Sequence, residues 1–431
     1  MKILNYENSN FYKQLDILLK KRFQKNINNI DNVVKKIITK VMKKGDDALF
    51  DFAKKFDGNL INSKNILISK KIRKSYKKKI DVKVLNAFKV AIKNIKKFHK
   101  RQKPNNYEII NKGTKIASIW KPIQSVGLYI PGGKAVYPSS LIMNVIPAKV
   151  AGVKRIVVVT PSSSQGVDPY ILSLLDVLNI DEVYQIGGAH AIAALAYGTN
   201  SIKPVNKIFG PGNAYVASAK KQVFGKVGID LIAGPSEIVV VADKSNNPRW
   251  VAADLIAQAE HDENSQSILI TDNNDFAKKV LYSIKELTKK LPKKNIIEKS
   301  LQDFGIIIIT KNLKKISEII DFIAPEHLHL QNMSRNKILK KINNVGAIFL
   351  GEYTSEAFGD YIVGTNHILP TSGSAKFSSG LGVLDFMKRT SIVEMDFESF
   401  KKNQDKVSMM AEVENLEGHK LSVKIRQTEK K

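Results

Sequence analysis

"SVGLYIPGGKAVYPSSLIMNVIPAKVAGVKRIVVVT", residues 125 to 160, holds the pattern on which the fold turns. "SVGLYI" (125–130) and "RIVVVT" (155–160) are short, apolar runs, so each reads as a strand. Between them "SSLIMNVIPAKVAGV" reads as a mostly helical stretch with an internal proline. A strand, a crossover helix and a second strand make a parallel pair, because an antiparallel pair would need only a short turn.

The same alternation continues in both directions. A helix around "YILSLLDVL", a strand at "EVYQI" and a helix at "AIAALAYG" extend the first unit. A second set follows: "SEIVVVAD", a helix over "RWVAADLIAQAE", "SILIT", a long Lys-rich helix, "FGIIIIT", "LKKISEIIDFI" and "GAIFLG" (346–351). The expected fold class is therefore α/β, with two doubly wound, incomplete Rossmann-like parallel sheets. Towards the N-terminus the chain reads helical: Leu85, Phe88, Ile92 and Ile95 form one stripe ending before Pro104, and Val34, Ile37, Ile38 and Val41 another stopping at Gly45. His99 sits in the Lys-rich helix and reads as surface. Beyond "GLGVLDFMKR" the strands are expected to stop, leaving a helical appendage too short to fold alone.

Composition excludes several classes of function. The chain of 431 residues has no cysteine, which rules out disulfides, Cys-bound zinc, iron–sulfur clusters and any thiol nucleophile. No apolar run reaches the length of a membrane span, and the start has no signal-type apolar region, so a cytoplasmic location is expected. The net charge of +29 is concentrated in residues 1–121, with 32 Lys/Arg against 9 Asp/Glu. Those lysines lack interleaved aromatics and Arg-rich clusters, so they read as a solvated helix face and no nucleic-acid partner is expected.

Three glycine loops lie between a strand and a helix: "YIPGGKAVYPSS" (129–140), "QIGGAHAIAAL" (185–195) and "FGPGNAYVASAK" (209–220). Each suits a steric turn as well as a phosphate cradle, but three on one sheet edge point to a dinucleotide. In "LIAQAEHDENSQ", Gln258 and His261 share a helix face, either as a hydrogen-bonded surface pair or as metal ligands. "EAFGDYIVGTNHILPTSGS" brings Asp360 and His367 on a Gly-rich loop, and "EVENLEGH" brings Glu414 and His419 on the tail. In "IAPEHLHLQ" (323–331), Pro325 ends a helix, which lets the consecutive Glu326 and His327 converge on one substrate.

The motifs "GLYIPGG", "FGPGNAYV", "AGPSE", "AQAEHD", "APEHL", "GDYIVGTNH" and "SGLGVLDF", in that order, resemble the histidinol dehydrogenase family from about residue 125 onwards. The resemblance implies an enzyme that oxidises L-histidinol to L-histidine through the aldehyde with two NAD, the last step of histidine biosynthesis. It implies that Gln258, His261, Asp360 and His419 hold one zinc ion per subunit. It implies that Ser236, His327, His367 and Glu414 touch substrate together with the zinc ligands, and that Tyr129, Gln185 and Asn213 line the NAD site. It also implies a homodimer with shared active sites, in which the tail serves the partner subunit. The organisation expected on this basis is a helical arm over 1–26, a first α/β domain over 27–129 and 236–380, a second over 130–235, and a helical tail over 381–431. The sequence departs from the family pattern at His190, where a Gln is expected, and at Gly382, where a Ser is expected.

The acid and the imidazole then have a shared purpose. Hydride transfer from an alcohol needs a base for the hydroxyl proton, a role suited to neutral His327 near pH 7. Carrying an aldehyde to an acid needs another oxygen, and without a thiol the route is direct addition of water, with Glu326 to activate it. Two other classes compete: a zinc hydrolase, which leaves the glycine loops without purpose, and a basic RNA-binding protein, which rests on the first quarter alone.

Overall fold

Buried β-branched runs build two parallel sheets within one unit, Met1–Gln102 with Gln124–Phe386. The computed structural model describes residues 1–23, 27–78, 80–132, 137–163, 166–232, 234–331 and 335–428, so positions 133–136 of the first glycine loop lie outside the described residues.

The larger sheet runs in the order Lys2–Asn5, Ile306–Ile309, Gln266–Thr271, Glu237–Val241, His327–Leu330, Ala347–Leu350, with every pairing parallel. Its central strands are buried on both faces, which explains why "EIVVV", "QSILIT" and "IIII" carry little alternation. The smaller sheet runs Glu182–Tyr184, Arg155–Val159, Ser125–Tyr129, Lys207–Phe209, Gly228–Ile229, again all parallel. Residues 27–56, grouped with 236–380 in the sequence reading, pack instead on the smaller sheet. There Val34, Ile38, Leu49 and Phe52 share a core with Ile192 and Val216.

Both appendages contain strands as well as helices. Lys2–Asn5 joins the edge of the larger sheet beside Ile306–Ile309. The second unit, Lys103–Ile123 with Met387–Lys431, has an antiparallel sheet in the order Met387–Met395, Thr114–Pro122, Tyr107–Asn111, and the helices Phe397–Val413 and Glu417–Thr428. Strands therefore do not stop at residue 389. Met387–Met395 escaped notice because only Met387 in it is buried, so no apolar face marks it.

His99 corrects a second expectation. On the helix Val82–Lys100 it lies four residues after Ile95, on the buried face with Ala91, and it is fully enclosed. Its Nδ1 meets the Ile95 carbonyl at 2.8 Å, so the lysines around it face water while the imidazole does not.

Proline inside the helix Pro138–Ala151 has a consequence for the site. Pro147 has no N–H for the carbonyl four residues earlier, at Met143. That carbonyl accepts from Asn366 Nδ2 at 2.8 Å, which ties the segment carrying His367 to the helix.

The loop after Lys207–Phe209 is held as firmly. Gly210 sits at φ +110, and a Cβ there would lie 2.1 Å from the Tyr129 carbonyl oxygen. Its N–H donates to Asp230 at 2.8 Å and its carbonyl accepts from Lys220 at 2.9 Å, while Lys220 and Asp230 form a buried ion pair. Gly210→Ala is expected to cost at least about 2 kcal/mol in urea denaturation, from the backbone conformation and the contact together. An unchanged unfolding midpoint would contradict this packing.

Candidate active site

A cavity of about 870 Å³ opens where the carboxyl end of the smaller sheet meets the starts of two strands of the larger one. Tyr129, Gly132, Gly212 and Asn213 line it from the glycine turns, and Ser236, Gln258, His261, Glu326, His327, Asp360 and His367 from the other side. Those residues, expected from sequence as one site, are thus brought together. Gln185 is not among the lining residues; it follows the strand Glu182–Tyr184, and its amide donates to the Asn65 carbonyl at 2.7 Å. Glu414 and His419 belong to the second unit, where Glu414 ends the helix Phe397–Val413, His419 lies on Glu417–Thr428 and both are exposed.

The helix Leu313–Ile323 ends at Ala324, whose φ of +50 turns the chain into Pro325. Glu326 and His327 then enter the strand His327–Leu330, and both side chains are buried. Glu237, at the start of the neighbouring strand, holds the two of them. Its backbone N–H donates to Glu326 Oε2 at 2.9 Å, and its carbonyl meets His327 Nδ1 at 3.0 Å. A carbonyl only accepts, so this contact puts the imidazole proton on Nδ1. The other ring nitrogen, Nε2, has no hydrogen-bond partner among the described residues and lies 3.9 Å from Asp360 Oδ1.

Electrostatics follow from that burial. Desolvation pulls the His327 imidazole below its ordinary value, against the nearby Asp360 charge, so it is neutral at pH 7 and its approaches to Glu326 and Glu356 are not ion pairs. Desolvation pushes the carboxyls of Glu326 and Glu356 well above the usual carboxylate range; the Glu237 N–H pulls Glu326 back, while further carboxylates raise Glu356. Glu326 is thus a strong base whenever it is ionised. Glu356 was not singled out from sequence. It stands four residues before Asp360 on the short helix Glu356–Tyr361, with Oε1 3.4 Å from His327 Nδ1, and that i, i+4 pair of acids was the available signal. Asp360 therefore sits on a helix, and His367 follows on a loop, its Nδ1 2.9 Å from the Asp360 carbonyl and its Nε2 3.1 Å from Ser140 Oγ.

Gln258 tests whether a metal fits. It is wholly buried, yet neither amide atom has a hydrogen-bond partner among the described residues, an expensive state for a polar group. It shares the cavity with His261 and Asp360, so the orphaned carbonyl oxygen, the imidazole and the carboxylate form a donor set suited to zinc.

The two departures from the family pattern have local settings. Gly382 donates its N–H to Asp385 at 2.8 Å, and a Cβ there would meet Gln102 Oε1 at 2.8 Å. His190 is buried beside Phe52 and Phe56.

Two parallel sheets that present glycine turns and a buried acid–imidazole pair to one cavity suit an α/β oxidoreductase. The model of the family Histidinol dehydrogenase matches residues 20–427. Histidinol dehydrogenase of Listeria monocytogenes is 45% identical over 415 residues, 95% of this chain and 97% of the relative. That of Rhizobium meliloti is 45% identical over 425 residues, 98% of each. The crystal structure of histidinol dehydrogenase from Elizabethkingia anophelis superposes with a TM-score of 0.93 at 34% identity, covering 99% of this chain and 98% of that one. The chain belongs to the histidinol dehydrogenase family, and it is an enzyme. Among the described residues no helix is long and apolar enough to cross a membrane.

Burial holds the His190 imidazole down to about 4. The unfolded chain binds a proton there near 6.5 and the folded one does not, so this residue costs stability as pH falls from 6.5 towards 4. His190→Gln is expected to lessen the stability lost between pH 6.5 and 5 by about 1.6 kcal/mol, since the unfolded imidazole is already half protonated at pH 6.5. Parallel stability curves for the two proteins would contradict a neutral, buried His190.

Proposed function

We propose that the enzyme oxidises L-histidinol to L-histidine through L-histidinaldehyde with two NAD, the last step of histidine biosynthesis, in the cytoplasm. The observation that carries this reading is the buried Glu326–His327 pair in a cavity of a chain without cysteine. Family membership supplies the substrate, since the relatives are histidinol dehydrogenases.

In the first step His327 Nε2, free because Nδ1 carries the proton, accepts the hydroxyl proton of the alcohol. NAD, when bound, takes the hydride from the same carbon in each step. Tyr129 and Asn213, which line the cavity, would hold NAD together with Gln185, which stands at the carboxyl end of the next strand but one. In the second step Glu326 takes a proton from water as the oxygen bonds to the aldehyde carbon and passes it to the former carbonyl oxygen, giving the neutral hydrate. His327, having released its first proton to solvent, then accepts a hydroxyl proton from the hydrate as the second hydride leaves, and the product is the carboxylic acid. Each step releases one proton and two electrons, so the sum is four electrons per histidinol.

Gln258, His261 and Asp360 would hold zinc, with His419 as fourth ligand. Bound zinc would grip the imidazole and amine of the substrate and fix its position. Ser236, His367 and Glu414 complete the contacts to substrate. Glu414 and His419 are assigned to the site of a partner subunit in a homodimer. Exposed Ile110, Val393, Met409, Met410 and Val413 on the second unit support that assignment as apolar surface a partner subunit could cover.

Glu326→Gln is expected to slow the oxidation of histidinaldehyde about 10²- to 10⁴-fold while retaining a measurable first oxidation, read by trapping the aldehyde with a hydrazine. Aldehyde oxidation at the wild-type rate in this variant would remove Glu326 from the second step. Mixing inactive Glu326→Gln with inactive His419→Ala is expected to restore part of the activity after subunit exchange. No recovery despite proven exchange would mean that each site is built from one chain.

A further inference from the structure

Arg22 lies in the lysine-rich first quarter, in the short turn Lys21–Phe23 after the helix Phe11–Lys20, yet its side chain is only 2% exposed. Its guanidinium is ion-paired with the Glu237 carboxylate, itself buried. The same carboxylate oxygen accepts the Ser372 N–H at 2.8 Å. Glu237 is also the residue whose N–H and C=O hold Glu326 and His327, at 2.9 and 3.0 Å. Its two ends therefore serve different purposes: the backbone faces the reacting pair, and the side chain is anchored from below by a cation delivered from 215 residues away in sequence.

We infer that Arg22 and Glu237 are positioning residues for the oxidation: their buried ion pair fixes the Glu237 backbone on both sides of its Cα, and through it the direction of Glu326 and the tautomer of His327. The inference rests on the roles proposed above for Glu326 and His327. Burial alone does not require this arrangement, since an apolar pair of the same volume is commonly as stable as a buried ion pair. Its specific property is orientation. A bidentate-capable guanidinium resists rotation of the carboxylate, and a shift of an ångström at a catalytic base is felt in the rate.

The test uses the full-length, zinc-supplied enzyme. Glu237→Gln keeps the shape and removes the charge. The expected result is a fall in kcat of about 10- to 100-fold, with the KM values for histidinol and NAD within about twofold and an active-site titre unchanged. Arg22→Met should behave alike, and Arg22→Lys should recover part of the loss, because it restores charge without the planar fork. If Glu237→Gln does not fold, the Arg22→Lys and Arg22→Met comparison decides. A purely structural role would lower the unfolding midpoint and the active-site titre while leaving kcat per titrated site at the wild-type value, and that result would overturn the inference. Glu326→Gln, assayed in parallel, separates the two levels. A defect there with wild-type kcat in the Glu237 and Arg22 variants sinks the positioning role alone, whereas wild-type aldehyde oxidation in Glu326→Gln sinks the assignment on which it stands.

Discussion

The backbone of one residue, Glu237, holds the buried acid and imidazole of the candidate site together. The parallel pairing of Glu237–Val241 with His327–Leu330, in which His327 lies opposite Ile238, brings Glu237 against the two residues that begin the neighbouring strand. A free side-chain acid and a free imidazole would each sample several rotamers. Here the N–H of Glu237 fixes Glu326 and its C=O fixes the proton of His327, so Nε2 is left with its lone pair. Everything else in the cavity is arranged around that constraint, including Asp360 beyond Nε2 and the His367 segment tied down by the carbonyl that Pro147 releases.

Crowding several carboxyls into a buried space is costly, and the site manages it in distinct ways. Glu237 is paired with a buried arginine, while Glu326 and Glu356 are held towards their neutral forms by desolvation. Gln258 keeps its buried amide without a hydrogen-bond partner among the described residues. Unpaired polar groups of this kind are scarce in folded proteins, and they concentrate where a ligand completes them. The same argument explains why the loop after Lys207–Phe209 carries the Lys220–Asp230 pair, which satisfies both backbone groups of Gly210 where the chain runs against Tyr129.

The two parallel sheets were legible in the sequence because strands covered on both faces must be long in β-branched residues, and "EIVVV", "RIVVV" and "IIII" have almost no other reading. The antiparallel sheet was not, since the strands Tyr107–Asn111 and Met387–Met395 bury almost nothing and so carry no alternation. His99 was misread for a related reason: composition around a helical residue says little about the face it lies on, and the spacing of four from Ile95 was the better guide. At the site, residue types suggested Glu326, His327, Asp360, His367 and the Gln258–His261 pair, but their grouping came from resemblance, because strands far apart in sequence deliver them. Arg22, Glu237 and Glu356 escaped altogether. Each is a charged residue whose burial the sequence does not reveal, and only Glu356, four residues before Asp360 on one helix, left any signal.

The central claim is that one site performs both oxidations, and it has a direct measure in the number of NADH formed per molecule of L-histidinol consumed. With histidinol limiting, NAD in excess and zinc supplied, the account predicts two NADH and L-histidine as the product. One NADH with the aldehyde as end product would contradict the two-step use of Glu326 and His327.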